Sequence, residues 1–344
     1  MTEVWTELLG SATPIVAAPM AGGATTPHLV SAVAGAGGFG FLAAGYQPVE
    51  AVAAELRELR DGGTPYGVNL FVPGPPEIGE AEFRRYAREL ADEGRPYGLD
   101  LGTAPLIHDD DHWPEKLDLL LTNPVPAVSF TFGLPEKSVV AALQRSGTRV
   151  LATVTTVDEA RAAAELGVDG VVAQGIEAGG HRGTHTPQRP TPAVSTEPLV
   201  RQVARATRLP VVAAGGVGGG EHVRRLIAAG ATAVAVGTLL LRTDESGANQ
   251  LHKDALADPA RTETVITRAF TGRPARGLRN AFIDRHEATA PLGYPAVHHL
   301  TRALRSAATA AGQPDQVHLW AGTAYRNAPA GPAADVIAGL SAAL

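Results

Sequence analysis

The chain has 344 residues, 44% of them apolar and 19% charged, with a formal net charge of −6; that is ample material for a buried core, and the negative balance speaks against a nucleic-acid or anionic-membrane surface. Cysteine is absent, which excludes disulfides, iron–sulfur clusters, thiolate metal sites and any cysteine nucleophile. The three lysines, Lys116, Lys137 and Lys253, stand outside any Gly-rich context, so Schiff-base chemistry is not expected.

The first residues, Met1 to Trp5, lack the basic start and apolar run of a secretion signal. The uncharged stretch Leu29 to Val49 has the length of a bilayer span, but Gly35, Gly37, Gly38, Gly40, Gly45 and Pro48 break it into a helix, a turn and a strand. A soluble, cytoplasmic protein is expected.

Short Val-, Ala- and Ile-rich runs then recur, each followed by a helical pattern. Pro14 to Met20 reads as a buried strand and Pro27 to Ala36 as a helix with Pro at its start. Phe39 to Ala44 is a second strand, followed by a helix over Pro48 to Arg60. Tyr66 to Val72 is a third, ended by the breaker Pro73-Gly74-Pro75-Pro76 and an insertion to about residue 113 that holds a helix over Glu80 to Glu93. Ala127 to Phe132 and the helix Pro135 to Gln144 form the fourth unit. Arg149 to Val154 with helix Val157 to Leu166 is the fifth. Gly170 to Gln174 is the sixth strand; a long Gly- and Pro-rich loop, Gly175 to Thr196, leads to its helix Glu197 to Ala206. Pro210 to Ala214 with helix Gly220 to Ala229, and the strand Thr232 to Val236, complete the series.

Eight such units joined by short connections imply neighbouring parallel strands, and they match a closed (β/α)8 TIM barrel better than an open sheet. The division expected is a barrel over residues 1–242, with closing helices in 300–344, and a smaller C-terminal capping or substrate region over 243–299.

Three patterns are set aside. Gly35-Ala36-Gly37-Gly38-Phe39-Gly40 has the letters of a dinucleotide fingerprint, but it follows a helix and opens a strand, the reverse of the required context. His108-Asp109-Asp110-Asp111-His112 and His298-His299 could suggest a metal; the acidic run lies on an irregular loop, where carboxylates usually face water. No metal site is expected.

The C-terminal strand ends are more informative, because barrels of this class place their active site there and commonly bind phosphate after strands seven and eight. Strand seven ends in Ala213-Ala214-Gly215-Gly216-Val217-Gly218 and strand eight in Val236-Gly237-Thr238. Bare backbone lets amide groups converge on an anion, and a helix start adds a favourable dipole. Strand six ends in Gln174 and runs into Gly179-Gly180-His181-Arg182-Gly183. A histidine between glycines at the open face can serve as acid or base. Gln174, and Asn69 near the end of strand three, carry amides suited to the edge of a heterocycle; each could equally be a buried amide satisfied by backbone.

These stretches resemble the FMN-dependent nitronate monooxygenases, formerly called 2-nitropropane dioxygenases, over nearly the whole chain. The resemblance rests on Ala18-Pro19-Met20-Ala21-Gly22-Gly23, Gly67-Val68-Asn69-Leu70-Phe71-Val72-Pro73 and Val128 to Pro135, together with Ala213 to Gly216. It is carried most narrowly by Glu177 to Gly183, Gly272-Arg273-Pro274-Ala275-Arg276-Gly277 and Trp320-Ala321-Gly322. It implies that backbone of Ala18 and Met20 faces a flavin ring and that Asn69 and Gln174 contact the cofactor. Gly179, Gly180, Gly215, Gly216, Val236, Gly237 and Thr238 would line the phosphate end, with His181 catalytic beside the flavin. The implied reaction is oxidation of an alkyl nitronate or nitroalkane by O2 to a carbonyl compound and nitrite. Where the family commonly continues Trp-Ala-Gly with Gln, this chain has Thr323, which bears on the substrate pocket. Two other readings stay open: an NADH-dependent FMN reductase of a quinone or enoyl thioester, and a flavin-binding protein with little turnover.

Overall fold

Strands covered on both faces read as nearly continuous apolar runs, and in this chain those runs build a barrel. The structure, a computed structural model of the chain, describes residues 4–74, 78–190 and 193–344. Pro75, Pro76 and the first three residues, which the sequence reading used, lie outside the described residues, as do two residues of the loop Gly175 to Thr196. In chain order the strands are β1 (Ile15–Ala17), β2 (Phe39–Ala43), β3 (Tyr66–Phe71), β4 (Ala127–Thr131), β5 (Arg149–Val154) and β6 (Gly170–Gln174). They continue with β7 (Gly180–His181), β8 (Val211–Ala214), β9 (Ala233–Val236), β10 (Thr264–Thr267) and β11 (Ala275–Leu278). Eight close a parallel barrel in the order β1-β2-β3-β4-β5-β6-β8-β9, with Ile15, Val16 and Ala17 of β1 paired to Val234, Ala235 and Val236 of β9. The chain thus forms the expected (β/α)8 barrel.

Local chemistry sets the helix ends. Thr26 caps the helix Pro27–Gly35 by accepting from the Leu29 N–H at 3.0 Å, with Pro27 at a position where its missing N–H costs nothing. Thr156 caps Val157–Leu166 in the same way, and Gly167, at φ 91°, ends it in a left-handed conformation. These helices bury one face on the strands: Leu29, Val30 and Val33, and likewise Leu199, Val200 and Val203 of Thr196–Ala206, join the main core.

The remaining strands, β10, β11 and β7, form a small antiparallel sheet outside the barrel. Above it lies a second apolar cluster, in which Phe83, Tyr86 and Leu90 from the insertion after β3 pack with Phe270, Phe282, Val297, Leu300 and Leu304.

The structure differs from the sequence reading in four places. β1 stops at Ala17: the Ala18 N–H still donates to the Val236 carbonyl at 2.9 Å, but Pro19, with no N–H, ends the ladder there. The expected helix Glu80 to Glu93 is split into Glu80–Glu89 and Ala91–Gly94, ahead of Pro96. A helix over Trp113–Thr122 was not anticipated; Pro114 sits in its first turn, directly after the acidic run. That acidic run is also not left wholly to solvent. Asp111 accepts from the Tyr46 N–H and pairs with the buried Lys116 Nζ, each at 2.9 Å, while Asp109 lies 2.6 Å from His299 Nε2. The Gly35 to Gly40 stretch is the tight helix-to-strand turn its context implied: the carbonyl of Gly37 accepts from the Ala12 and Thr13 N–H groups.

Candidate active site

A cavity of about 780 Å³ opens at the C-terminal ends of the barrel strands, within the range of small-molecule and cofactor sites. All of the site residues expected from the sequence line it: Ala18, Met20, Asn69, Gln174, Gly179, Gly180, His181, Gly215, Gly216, Val236, Gly237 and Thr238.

At the ends of β8 and β9 the wall is bare backbone. Gly215 holds φ +113° and a side chain there would come within 2.8 Å of the Ala178 nitrogen, so only glycine fits. Among the described residues the N–H groups of Gly216 and Gly237 donate to no backbone acceptor. Unpaired amides in a glycine-lined concavity suit an anionic group. The nearby Glu177 carboxylate is held away by the Thr196 N–H (2.9 Å) and hydroxyl (3.0 Å). Thr238 Oγ1 accepts from the Gly322 N–H at 2.9 Å, which docks the Trp320-Ala321-Gly322 stretch against this wall.

The two amides are engaged by protein. Gln174 donates from Nε2 to the His181 carbonyl (3.1 Å) and accepts from the Gly183 N–H (2.8 Å), so it braces the histidine loop. Asn69 donates from Nδ2 to Ser129 O, Ser129 Oγ and Thr131 Oγ1, at 3.1, 2.9 and 2.9 Å. These donors fix the amide so that its carbonyl oxygen is the end left to face a ligand.

His181 stands on β7, whose backbone pairs with β11 through His181↔Ala275 and Gly180↔Arg276. Its ring meets the edges of Trp320 (5.5 Å between centroids), Phe132 (5.8 Å) and Tyr294 (5.8 Å). Nε2 lies 2.9 Å from Thr271 Oγ1, which also lies 3.3 Å from the Arg273 carbonyl. Both contacts are satisfied when the hydroxyl donates to that carbonyl and accepts Nε2–H, which leaves Nδ1 as the lone-pair nitrogen. Burial, and then the charges of Arg273 and Arg305, push the imidazole down to about 3. At neutral pH it is uncharged.

Sequence reasoning missed much of the far wall. His252, His298 and His318, with Tyr46, Arg302 and Arg305, line the same cavity. His298, set aside above, stacks on Tyr46 at 4.1 Å with 6° between ring planes. Burial lowers His252 to about 4 and holds His298 and His318 well below the usual range, the latter two with help from Arg305. No cluster able to hold a metal occurs among the described residues. Thr323 is exposed and is not among the residues that line the cavity, although its neighbours Gly322 and Ala324 are; its N–H donates to Glu177 O at 3.0 Å.

The three stretches that carry the resemblance most narrowly meet in space: β7, β11 and Trp320, the last bridged to Gly277. Comparison with known proteins agrees. A family model described as nitronate monooxygenase matches residues 4–342. A probable nitronate monooxygenase of Staphylococcus saprophyticus is 40% identical over 338 residues, covering 93% of this chain and 91% of that protein. One from Staphylococcus aureus is 35% identical, covering 97% and 95%. Nitroalkane oxidase from Streptomyces ansochromogenes has a crystal structure that matches with a TM-score of 0.90 at 45% identity, covering 98% of each chain. FabK from Thermotoga maritima matches with a TM-score of 0.75 at 25% identity, covering 100% of this chain and 96% of that one. Among the described residues no helix is long and apolar enough to cross a membrane.

Proposed function

The chain belongs to the nitronate monooxygenase family of flavin-dependent oxidoreductases, and from that premise we propose that it uses FMN and O2 to oxidise alkyl nitronates, and the nitroalkanes from which they form, to a carbonyl compound and nitrite. The observation that carries this reading is an uncharged His181, its Nδ1 without a hydrogen-bond partner among the described residues, on the wall of a cavity whose other end is a glycine-lined anion cradle.

The residues fit FMN. Gly179, Gly180, Gly215, Gly216, Val236, Gly237 and Thr238 would hold its phosphate end, backbone of Ala18 and Met20 would face the ring, and the Asn69 oxygen and Gln174 would lie along its edge. Bound there, FMN supplies the electron transfer and the reaction with O2. The protein does the rest. His181 removes the α-proton when the substrate arrives as neutral nitroalkane, and Gln174 holds the His181 backbone in place through its carbonyl. Phe132, Tyr294 and Trp320 wall the imidazole off from bulk water, which keeps it uncharged. The same reading assigns the barrel to residues 1–242 with closing helices in 300–344, the cap to 243–299, and the protein to the cytoplasm.

The test is anaerobic mixing of the purified holoprotein with a nitronate and, separately, with NADH, while flavin absorbance is followed. Fast bleaching by nitronate and slow or no bleaching by NADH is expected. Rapid bleaching by NADH would replace this reading with a reductase acting on a quinone or enoyl thioester, and bleaching by neither would leave a flavin-binding protein with little turnover. Release of FAD rather than FMN on denaturation would overturn the cofactor.

A further inference from the structure

The cap side of the cavity holds a cation with no anion. Arg305 is 6% exposed, yet its guanidinium meets only uncharged groups. Nε donates to Thr301 Oγ1 (3.0 Å), one terminal nitrogen donates to the His298 carbonyl (3.0 Å), and the other faces the His318 ring (3.1 Å). Among the described residues no carboxylate pairs with it, and both histidines are themselves uncharged. A buried charge without a counter-charge is costly to the fold on its own, so its presence points to a ligand that completes it.

Tyr46 is the second incomplete group on that wall. Its backbone holds φ +67°, a conformation L side chains rarely adopt, pinned by Asp111 on its N–H. Among the described residues its buried hydroxyl meets no partner at hydrogen-bonding distance and angle; Tyr294 lies close enough to influence its titration. Burial keeps the phenol protonated, so it is a donor. Tyr46 stacks on His298, to which Arg305 is bonded, and Tyr294 touches both the Tyr46 ring (6.4 Å) and the His181 ring (5.8 Å). Tyr46, Arg305 and His181 all line the cavity described above.

We propose that Arg305 and the Tyr46 hydroxyl form an oxyanion subsite that grips the planar two-oxygen –NO2 end of the substrate while His181 faces the adjacent carbon. The assignment rests on the nitronate reading above. A guanidinium fork matches a planar two-oxygen anion, and a phenol adds a directed hydrogen bond. In the deprotonation step the Cα–H bond breaks, its electron pair moves into the C–N bond and onto the nitro oxygens, and the proton goes to His181 Nδ1. The negative charge thus develops on the atoms facing Arg305 and Tyr46, where it is stabilised most.

Inorganic nitrate, planar and unreactive, is the probe. It is titrated into the holoprotein by calorimetry for wild type, Arg305→Gln, Arg305→Lys and Tyr46→Phe, with flavin content measured in each. The expected result is weaker nitrate binding by about 10–100-fold in Arg305→Gln and up to about 10-fold in Tyr46→Phe. Arg305→Lys should recover part of the loss, flavin content should be unchanged, and KM for nitronate should rise in the same order. Equal nitrate affinity in Arg305→Gln and Tyr46→Phe overturns the subsite, as does a loss in Arg305→Gln that comes with lost flavin and is not recovered by Lys. If Arg305→Gln does not fold, Tyr46→Phe decides alone. Arg305-dependent nitrate binding in a protein that oxidises no nitronate keeps the oxyanion subsite and overturns only the functional reading.

Discussion

Glu159 offers a quantitative test of how the histidine loop is held. Its carboxylate is buried at the foot of the helix Val157–Leu166 and accepts four hydrogen bonds. Oε2 receives the Thr155 N–H (2.5 Å) and hydroxyl (2.9 Å); Oε1 receives the Thr184 hydroxyl (3.0 Å) and the His185 N–H (2.8 Å). It thereby ties the end of β5 to the loop that leaves His181. In Glu159→Gln one end of the amide can still accept, but its NH2 end faces two donors. The Thr184 hydroxyl can turn round; the His185 N–H cannot, and an orphaned buried donor costs about 1–3 kcal/mol. Weakening the remaining charge-assisted bonds adds roughly 1 kcal/mol, for a total of about 3 kcal/mol at neutral pH. With an unfolding entropy of about 2.1 cal/mol/K per residue over this chain, that corresponds to a Tm lower by about 4 °C. The pH dependence has a definite sign. Burial pushes the Glu159 carboxyl up, but nearby His185 and the hydrogen bonds outweigh it and leave it below 4.5. A depressed folded value contributes stability that is complete above the unfolded value and is lost as pH falls through the folded one. Thermal melts of the two proteins should therefore differ fully at pH 7 and converge below pH ~4. An unchanged midpoint at pH 7, or a gap that persists undiminished in acid, would refute the account of these bonds.

Two further outcomes follow from the site. His181→Asn keeps a donor but cannot exchange a proton near neutrality, so steady-state turnover of neutral nitroalkane should drop by about 10²–10⁴-fold, pre-formed nitronate should be spared more, and flavin should be retained; equal rates with wild type on both substrate forms would remove His181 from the mechanism. Gly215→Ala forces a Cβ against Ala178 at a backbone conformation only glycine adopts comfortably; strain of about 1–3 kcal/mol there should weaken flavin binding roughly 10–100-fold, read from the visible-to-ultraviolet absorbance ratio of the purified protein, and full flavin content would show that the cradle lies elsewhere.

The barrel was legible because its information is local. Each strand is a short apolar run beside a capped helix, and the glycine pairs Gly215-Gly216 and Gly179-Gly180 stand where the eightfold rhythm puts strand ends. The far wall was not legible, because its members are brought together only by tertiary packing. Tyr46 follows β2, His252 lies in the helix Gln250–Ala257, and His298 and Arg305 share one face of the helix Ala296–Ala310. Nothing in the spacing of those residues announces a common cavity. The i, i+7 separation of His298 and Arg305 is what any helix face shows. A usable signal was nonetheless present: Arg305 is a charged residue on the inward-packing face of the helix, which it shares with His298, Thr301, Leu304 and Ala308. Asp111 and Lys116 were misread for the opposite reason, since a run of acids looks solvated until the buried ammonium that neutralises one of them is located.

The two-residue strand β7 also limits how substrate can enter. His181 belongs to the barrel by chain connection, but its backbone hydrogen-bonds to β11, and the Arg182 N–H donates to the Pro274 carbonyl at 2.8 Å. The small antiparallel sheet and His181 are in that sense one mechanical part. A hinge that lifted β10 and β11 would drag the imidazole with it or break those bonds, so this sheet is poorly suited to swing as a lid. Traffic through the cavity must instead use side-chain rotation or the mouth beside β1, where Gly22 and Gly23 line the wall. Opening of that kind occurs on a nanosecond-to-microsecond scale rather than the slower one of domain closure. The position of the His181 imidazole can then stay fixed while ligands exchange around it.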